Sequence, residues 1–255
     1  MTGAMRWAPA SRRLAWLVER PITHRGLHDA RAGIVENTAT AFAAAMGRNY
    51  AIECDLQLSA DGEAMVFHDA RLDRLTRARG PVIARTAAEL QGVALRGSRD
   101  RMQTLGELLD QVNARVPLVI ELKSHWDGSL ALVRRTAELV ADYDGLLALM
   151  SFDPDLVAGL AELAPRVPRG IVAERESVME MRLALARRLE LRHLSHVDRS
   201  RPHFLSYHAE GLPYGPARAV RQAGLPVICW TVRDAAAASR ARRYADQITF
   251  EGYLP

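Results

Sequence analysis

Tyr50-Ala-Ile-Glu-Cys-Asp-Leu56 is the stretch on which the fold turns, because its side chains alternate in character. On an extended backbone successive residues point to opposite faces, so Ile52, Cys54 and Leu56 share one face while Glu53 and Asp55 share the other. Outward from this run, short apolar segments recur at 21–24, 64–68, 117–122, 146–152, 169–173, 202–207, 225–232 and 247–250. Between them, residues 36–46, 101–114, 129–142, 174–190, 215–223 and 234–244 read as helices. This rhythm predicts an α/β fold, and a closed (β/α)8 barrel fits a chain of 255 residues and leaves no sheet edge exposed. An open doubly wound sheet is the alternative. Nine strand candidates exceed the eight a barrel needs, so one is a short edge, a lining segment or a misreading, and 202–207 is the weakest of them. The segment 74–100 is expected to be an elaborated loop near a strand end that shapes a pocket.

With 49% hydrophobic and 25% charged residues, the chain can bury a substantial core. No Pro/Gly/Ser-rich linker divides it, so the expected organisation is an N-terminal helix over 1–20 closing one end of a single barrel over 21–255. In that helix Trp7, Leu14, Leu17 and Val18 form the inward stripe, with Arg12 and Arg13 among the charges facing water. Cys54 and Cys229 are too few for a disulfide framework and read as buried thiols. A net charge of +4 gives modest attraction to anions, and 6% aromatic residues with no basic tract argue against nucleic-acid binding. No apolar run reaches the roughly 18 residues of a membrane span and the N-terminus has no secretory pattern, so the expected location is cytoplasmic. Oligomeric state is not legible.

The chemistry concentrates at strand ends. Glu53 and Asp55 bring two carboxylates together, which needs a proton or a cation; paired hard oxygens favour Mg²⁺, Ca²⁺ or Mn²⁺, although a structural ion pair remains open. Glu121 and Lys123 share a face at the end of 117–122, so Glu121 can join the cation ligands and Lys123 can bind phosphate oxygens, or the two can simply pair. His24 and His68 each close an apolar run and are proton-transfer candidates suited to phosphodiester cleavage. Arg25 offers a planar fork for phosphate, and Gly26 gives the backbone room to turn beside it. Trp230 and Phe152 serve either as pocket walls or as packing. The remaining histidines, His28 and His208 among them, form no metal-spacing motif and read as surface or local hydrogen-bonding groups.

In this order, HRG at 24–26, ENT at 36–38, IECD at 52–55, DG at 61–62, HD at 68–69 and ELK at 121–123 closely resemble the glycerophosphodiester phosphodiesterase family, and SF at 151–152, WTV at 230–232 and the terminal ITFEGYLP extend the resemblance over essentially the whole chain. The resemblance implies a TIM-type barrel and divalent-cation-dependent hydrolysis of a small glycerophosphodiester to sn-glycerol 3-phosphate and an alcohol. It implies His24 and His68 as the acid/base pair, Glu53, Asp55 and Glu121 as ligands of one divalent cation, and Arg25 and Lys123 as phosphate contacts. Glu36, Asn37 and, at the far end, Glu251 are candidates to support that cation site, while Asn37 can equally cap the helix that follows it. Arg233 stands where the family commonly has asparagine, and ITFEG replaces the common Thr-Asp, aromatic, proline ending, which bears on substrate more than on reaction. The competing readings are a phospholipase D-like lyase that releases the headgroup of a lysophospholipid and forms cyclic phosphate, and a non-catalytic phosphate-sensing barrel.

Overall fold

Alternation of the strands dictates a two-sided wall, and the wall closes on itself. The structure, a computed structural model, describes residues 14–175 and 183–255. Nine strands form one sheet: β1 (Ile22–Thr23), β2 (Ala51–Leu58), β3 (Ala64–Val66), β4 (Leu118–Leu122), β5 (Leu147–Ser151), β6 (Arg169–Ala173), β7 (Phe204–His208), β8 (Val227–Val232) and β9 (Gln247–Phe250). Eight of them run parallel in the order β1-β2-β4-β5-β6-β7-β8-β9, and β9 returns to β1, which closes the barrel. All nine candidate segments are strands, but the supernumerary one is β3 and not the run at 202–207. β3 pairs antiparallel with β2 after the turn at Asp61 and Gly62, whereas Phe204–His208 is a full barrel strand between β6 and β8.

The period of two sorts side chains between two cores. Ile52, Cys54 and Leu56 of β2, with Leu118, Ile120 and Leu122 of β4, face outward onto the helices Ala39–Gly47 and Leu105–Val112. Ile22, Ala51, Val119, Ala148, Val172, Phe204 and Ile228 fill the barrel interior, where Leu14 and, from the short helix Trp16–Glu19, Trp16 and Leu17 join them. Burying a leucine side chain as completely as Leu17 stabilises by roughly 1.5–3 kcal/mol, which ties this segment to the barrel interior. Trp7, Arg12 and Arg13 lie outside the described residues. Phe204 fills the barrel because Gly170 leaves it room: a Cβ at Gly170 would sit 2.3 Å from the ring.

The expected helices appear with shifted ends, except that of the segment 174–190 the described part contains only the start of the helix Leu185–His193, and residues 176–182 lie outside the described residues. Pro154–Leu163 and the short helices Ala87–Gln91 and Val197–Ser200 lie outside the segments that read as helices, and Pro154–Leu163 is the longest of the three. Asp153 caps it by accepting a hydrogen bond from Asp155 N, and Pro154 opens it, a start signal present in the sequence as Asp-Pro. Cys54 and Cys229 are buried and free, and burial pushes the Cys229 thiol up to about 12. The segment after His68 packs its own small core of Phe67, Leu72, Val82, Leu90 and Leu95, so it is a built insertion that carries Arg71 and Arg74 to the barrel mouth. Among the described residues no helix is long and apolar enough to cross a membrane.

Candidate active site

Inward-facing strand residues and the residues that follow the strands gather at one mouth, where they line a cavity of about 620 Å³. His24, Arg25, Glu53, His68, Glu121 and Lys123 come from the β1–β4 side, and Phe152, Ser206 and Trp230 from the β5–β8 side. The register of β2 against β4 sets Asp55 directly beside Glu121. Oxygens of Glu53, Asp55 and Glu121 all lie within 4.8 Å of one another, and all three residues are buried.

Three buried carboxylates this close repel unless something positive answers them. Lys123 Nζ donates to Glu121 Oε1 and stands 2.8 Å from Asp55 Oδ1, while Arg25 Nε lies 3.6 Å from Asp55 Oδ2. Burial favours the neutral acid, but Lys123 together with His68 and Arg25 holds Asp55 well below the usual carboxylate range. The same burial, added to repulsion from Asp55 and Glu121, pushes Glu53 well above it. Glu121 is raised by burial, which Lys123 opposes. A hard-oxygen set whose anionic charge outweighs the single buried ammonium fits a divalent cation.

The HRG turn supplies the floor. Arg25, Gly26 and Asn37 have φ of 56°, 79° and 56°. Gly26 is required twice over, by that left-handed backbone and because a Cβ would lie 2.9 Å from Ala41 Cβ. The turn lets Arg25 N donate to Glu53 Oε2 at 2.8 Å. Asn37 does not cap the following helix; Thr38 does, accepting from Ala41 N, and Asn37 is left to donate to Asp55 Oδ2 at 2.8 Å and accept from Asp55 N at 3.3 Å. Asn37 therefore orients a carboxylate of the triad.

Each histidine is tied through Nδ1 to a carboxylate. His68 Nδ1 is 2.7 Å from Asp69 Oδ1, and His24 Nδ1 is 2.6 Å from Glu251 Oε2. Since a carboxylate only accepts, the ring nitrogen facing it carries the proton and Nε2 is the remaining ring nitrogen. Burial lowers the His24 pKa from the ordinary imidazole value, and the bond to Glu251 opposes that shift.

Sequence reasoning missed Arg74. Its guanidinium grips Asp69 through Nε and Nη2 at 2.7 and 2.9 Å and Glu36 through Nη1 and Nη2 at 2.9 and 2.7 Å, while Arg25 Nη1 donates to the same Glu36 at 2.7 Å. Glu36 thus joins the two arginines, which places it beside the cluster and not in the triad. Arg74→Met is expected to lower kcat about tenfold, equivalent to ~1.4 kcal/mol, by freeing Asp69 and with it His68. Because Arg74 is half exposed, thermal unfolding of the variant should shift by less than about 1 kcal/mol of stability. An unchanged kcat would show that His68 needs no such support. His28, which reads from the sequence as a surface or local hydrogen-bonding group, brings its Nε2 to 3.6 Å from Glu251 Oε2. Phe152 and Trp230 line the cavity and also pack on the barrel core, with their rings edge to face at 5.5 Å.

Two imidazoles, a buried acidic triad and flanking cations at the C-terminal mouth of a parallel (β/α)8 barrel define a barrel site equipped for acid–base chemistry on an anion. Comparison with known proteins makes this specific: residues 24–247 match the model of the glycerophosphoryl diester phosphodiesterase family, and the chain belongs to that family. YhdW of Bacillus subtilis (strain 168), which carries a glycerophosphodiester phosphodiesterase name, is 39% identical over 113 residues, 41% of this chain and 44% of its own length. The chain thus matches under half the length of this curated relative. Among solved structures, an Oleispira antarctica phosphodiesterase in complex with its product sn-glycerol-3-phosphate aligns with TM-score 0.76 and 21% identity over 92% of this chain and 93% of that one. A glycerophosphodiester phosphodiesterase from Thermotoga maritima aligns with TM-score 0.67 and 24% identity over 90% and 92% of the two chains. These neighbours share the fold.

Proposed function

We propose that the chain hydrolyses small glycerophosphodiesters to sn-glycerol 3-phosphate and an alcohol, with His24 and His68 exchanging protons with the reacting oxygens. The observation that carries this reading is that both imidazoles, each oriented through Nδ1, line the same cavity as Glu53, Glu121 and Lys123. Glu53, Asp55 and Glu121 would hold one divalent cation, Mg²⁺, Ca²⁺ or Mn²⁺, which when bound supplies positive charge to the phosphodiester oxygens. Arg25 and Lys123 add charge on the phosphate side, where developing negative charge must be stabilised. One imidazole accepts the proton of the attacking oxygen and the other donates to the departing alkoxide. Phe152 and Trp230 give the organic part of the substrate an apolar wall.

The test is phosphorus-resolved product analysis with purified protein on glycerophosphocholine, glycerophosphoethanolamine, glycerophosphoglycerol and a lysophospholipid, with each cation and with chelator. Linear glycerol 3-phosphate from a small diester, formed only with cation, is the expected result. Cyclic phosphate formed only from the lysophospholipid would replace this reading with a lyase, and binding without turnover would leave a sensing barrel.

A further inference from the structure

Glu251 does not line the catalytic cavity. It faces a neighbouring cavity of about 730 Å³ together with His28 and Arg233, yet its carboxylate reaches through to His24. Three consecutive strand ends converge to put it there. β1 and β9 pair with Thr23 opposite Phe250, and His24 N donates to Phe250 O at 2.9 Å, which sets the two following side chains beside each other. Glu251 N in turn donates to Val232 O at 3.1 Å, anchoring the residue to the end of β8. From the position after β8, Arg233 Nε donates to Glu251 Oε1 at 2.8 Å, so the oxygen not used by His24 is also held. His28 Nε2 approaches from the HRG side, 3.6 Å from Oε2.

We infer that Glu251 is the positioning residue for His24, and that Arg233 fixes Glu251 in the orientation this requires. The inference rests on the phosphodiesterase reading above for its kinetic consequence and on geometry alone for the tautomer. A carboxylate on Nδ1 selects the ring form with the proton on Nδ1 and prevents rotation about the Cβ–Cγ bond, so Nε2 meets the substrate in one orientation. His68 has the corresponding support from Asp69, but there the carboxylate is the next residue in the chain, whereas Glu251 is 227 residues from its histidine. The two histidines therefore have equivalent carboxylate supports of unrelated chain origin, each gripped by an arginine: Arg74 for Asp69, Arg233 for Glu251.

The experiment compares Glu251→Gln, Glu251→Asp and Arg233→Met with the wild-type chain on glycerophosphoglycerol at saturating cation, and reads the ring nitrogens of His24 by nitrogen NMR. Glu251→Gln is expected to lower kcat by at least about 10–100-fold, the scale known for loss of a carboxylate behind a metal-bound histidine, with KM within about threefold. In the same variant the His24 signal should leave the pure Nδ1–H pattern. Glu251→Asp, which keeps the charge on a shorter arm, should recover part of kcat, and Arg233→Met should lose less than Glu251→Gln and in the same direction. Arg233 is mostly exposed, so that variant is readable even if the glutamate variants unfold. A kcat unchanged in Glu251→Gln and Arg233→Met, or a KM that rises while kcat holds, would overturn the inference. If the wild type turns over no glycerophosphodiester, the function proposal fails by itself, and the His24 nitrogen pattern in wild type and Glu251→Gln still decides this one.

Discussion

His68→Ala is expected to lower kcat by about 10²–10⁴-fold at saturating cation while leaving the fold intact, and His24→Ala to do the same. Both rings line the cavity, but neither belongs to either barrel core, so removing them takes away a proton carrier and little packing. The two losses should not add. Both groups would act in one transition state, so the double variant should fall little below the worse single one. Steady-state kinetics with unfolding curves on the three variants makes the check. Retention of more than about a tenth of kcat in either single variant would remove that histidine from the chemistry.

Lys123→Met should produce the largest loss of stability, about 3–5 kcal/mol in chelator, because it leaves Asp55 and Glu121 buried without their shared ammonium. The remedy is implied by the same electrostatics: a divalent cation in the triad would answer the freed charge, so added Mg²⁺, Ca²⁺ or Mn²⁺ should restore more stability to this variant than to the wild type. Urea unfolding of both chains with cation and with chelator measures the difference. Equal stability of the two chains in chelator would mean that Lys123 does not balance the acidic cluster.

Much of this site is readable in the sequence because it is local. The alternation Ile52, Cys54, Leu56 against Glu53 and Asp55 fixes which way the carboxylates point, and the same period at 117–122 delivers Glu121 beside them. Sequence is silent where partners are distant. Arg74 divides its hydrogen bonds between Asp69, five residues away, and Glu36, 38 residues away, and it is the distant half that joins it to Arg25 and sets it apart from the other arginines of its insertion. Strand direction is equally hidden: Ala64–Val66 reads like any barrel strand, and it turns antiparallel because the chain reverses at Asp61 and Gly62 before a helix can intervene. The run 202–207 reads as the weakest strand candidate, yet Phe204–His208 pairs with β6 and β8 on both sides, and that pairing, which no local composition displays, makes it a full barrel strand.

The barrel is closed by only two residues, Ile22 and Thr23, held between Ala51 and Ile52 on one side and Thr249 and Phe250 on the other. During synthesis more than two hundred residues must be added after His24 before the strand that seals the seam is complete. Until then the β1 edge has no partner on one flank, and the carboxylate that orients His24 does not exist. Domains of this kind, dominated by contacts between distant segments, reach their final form late and slowly. Nascent fragments ending before residue 247 should therefore carry an open sheet edge and an unassembled site, so the mouth of the barrel takes shape only with the last strand.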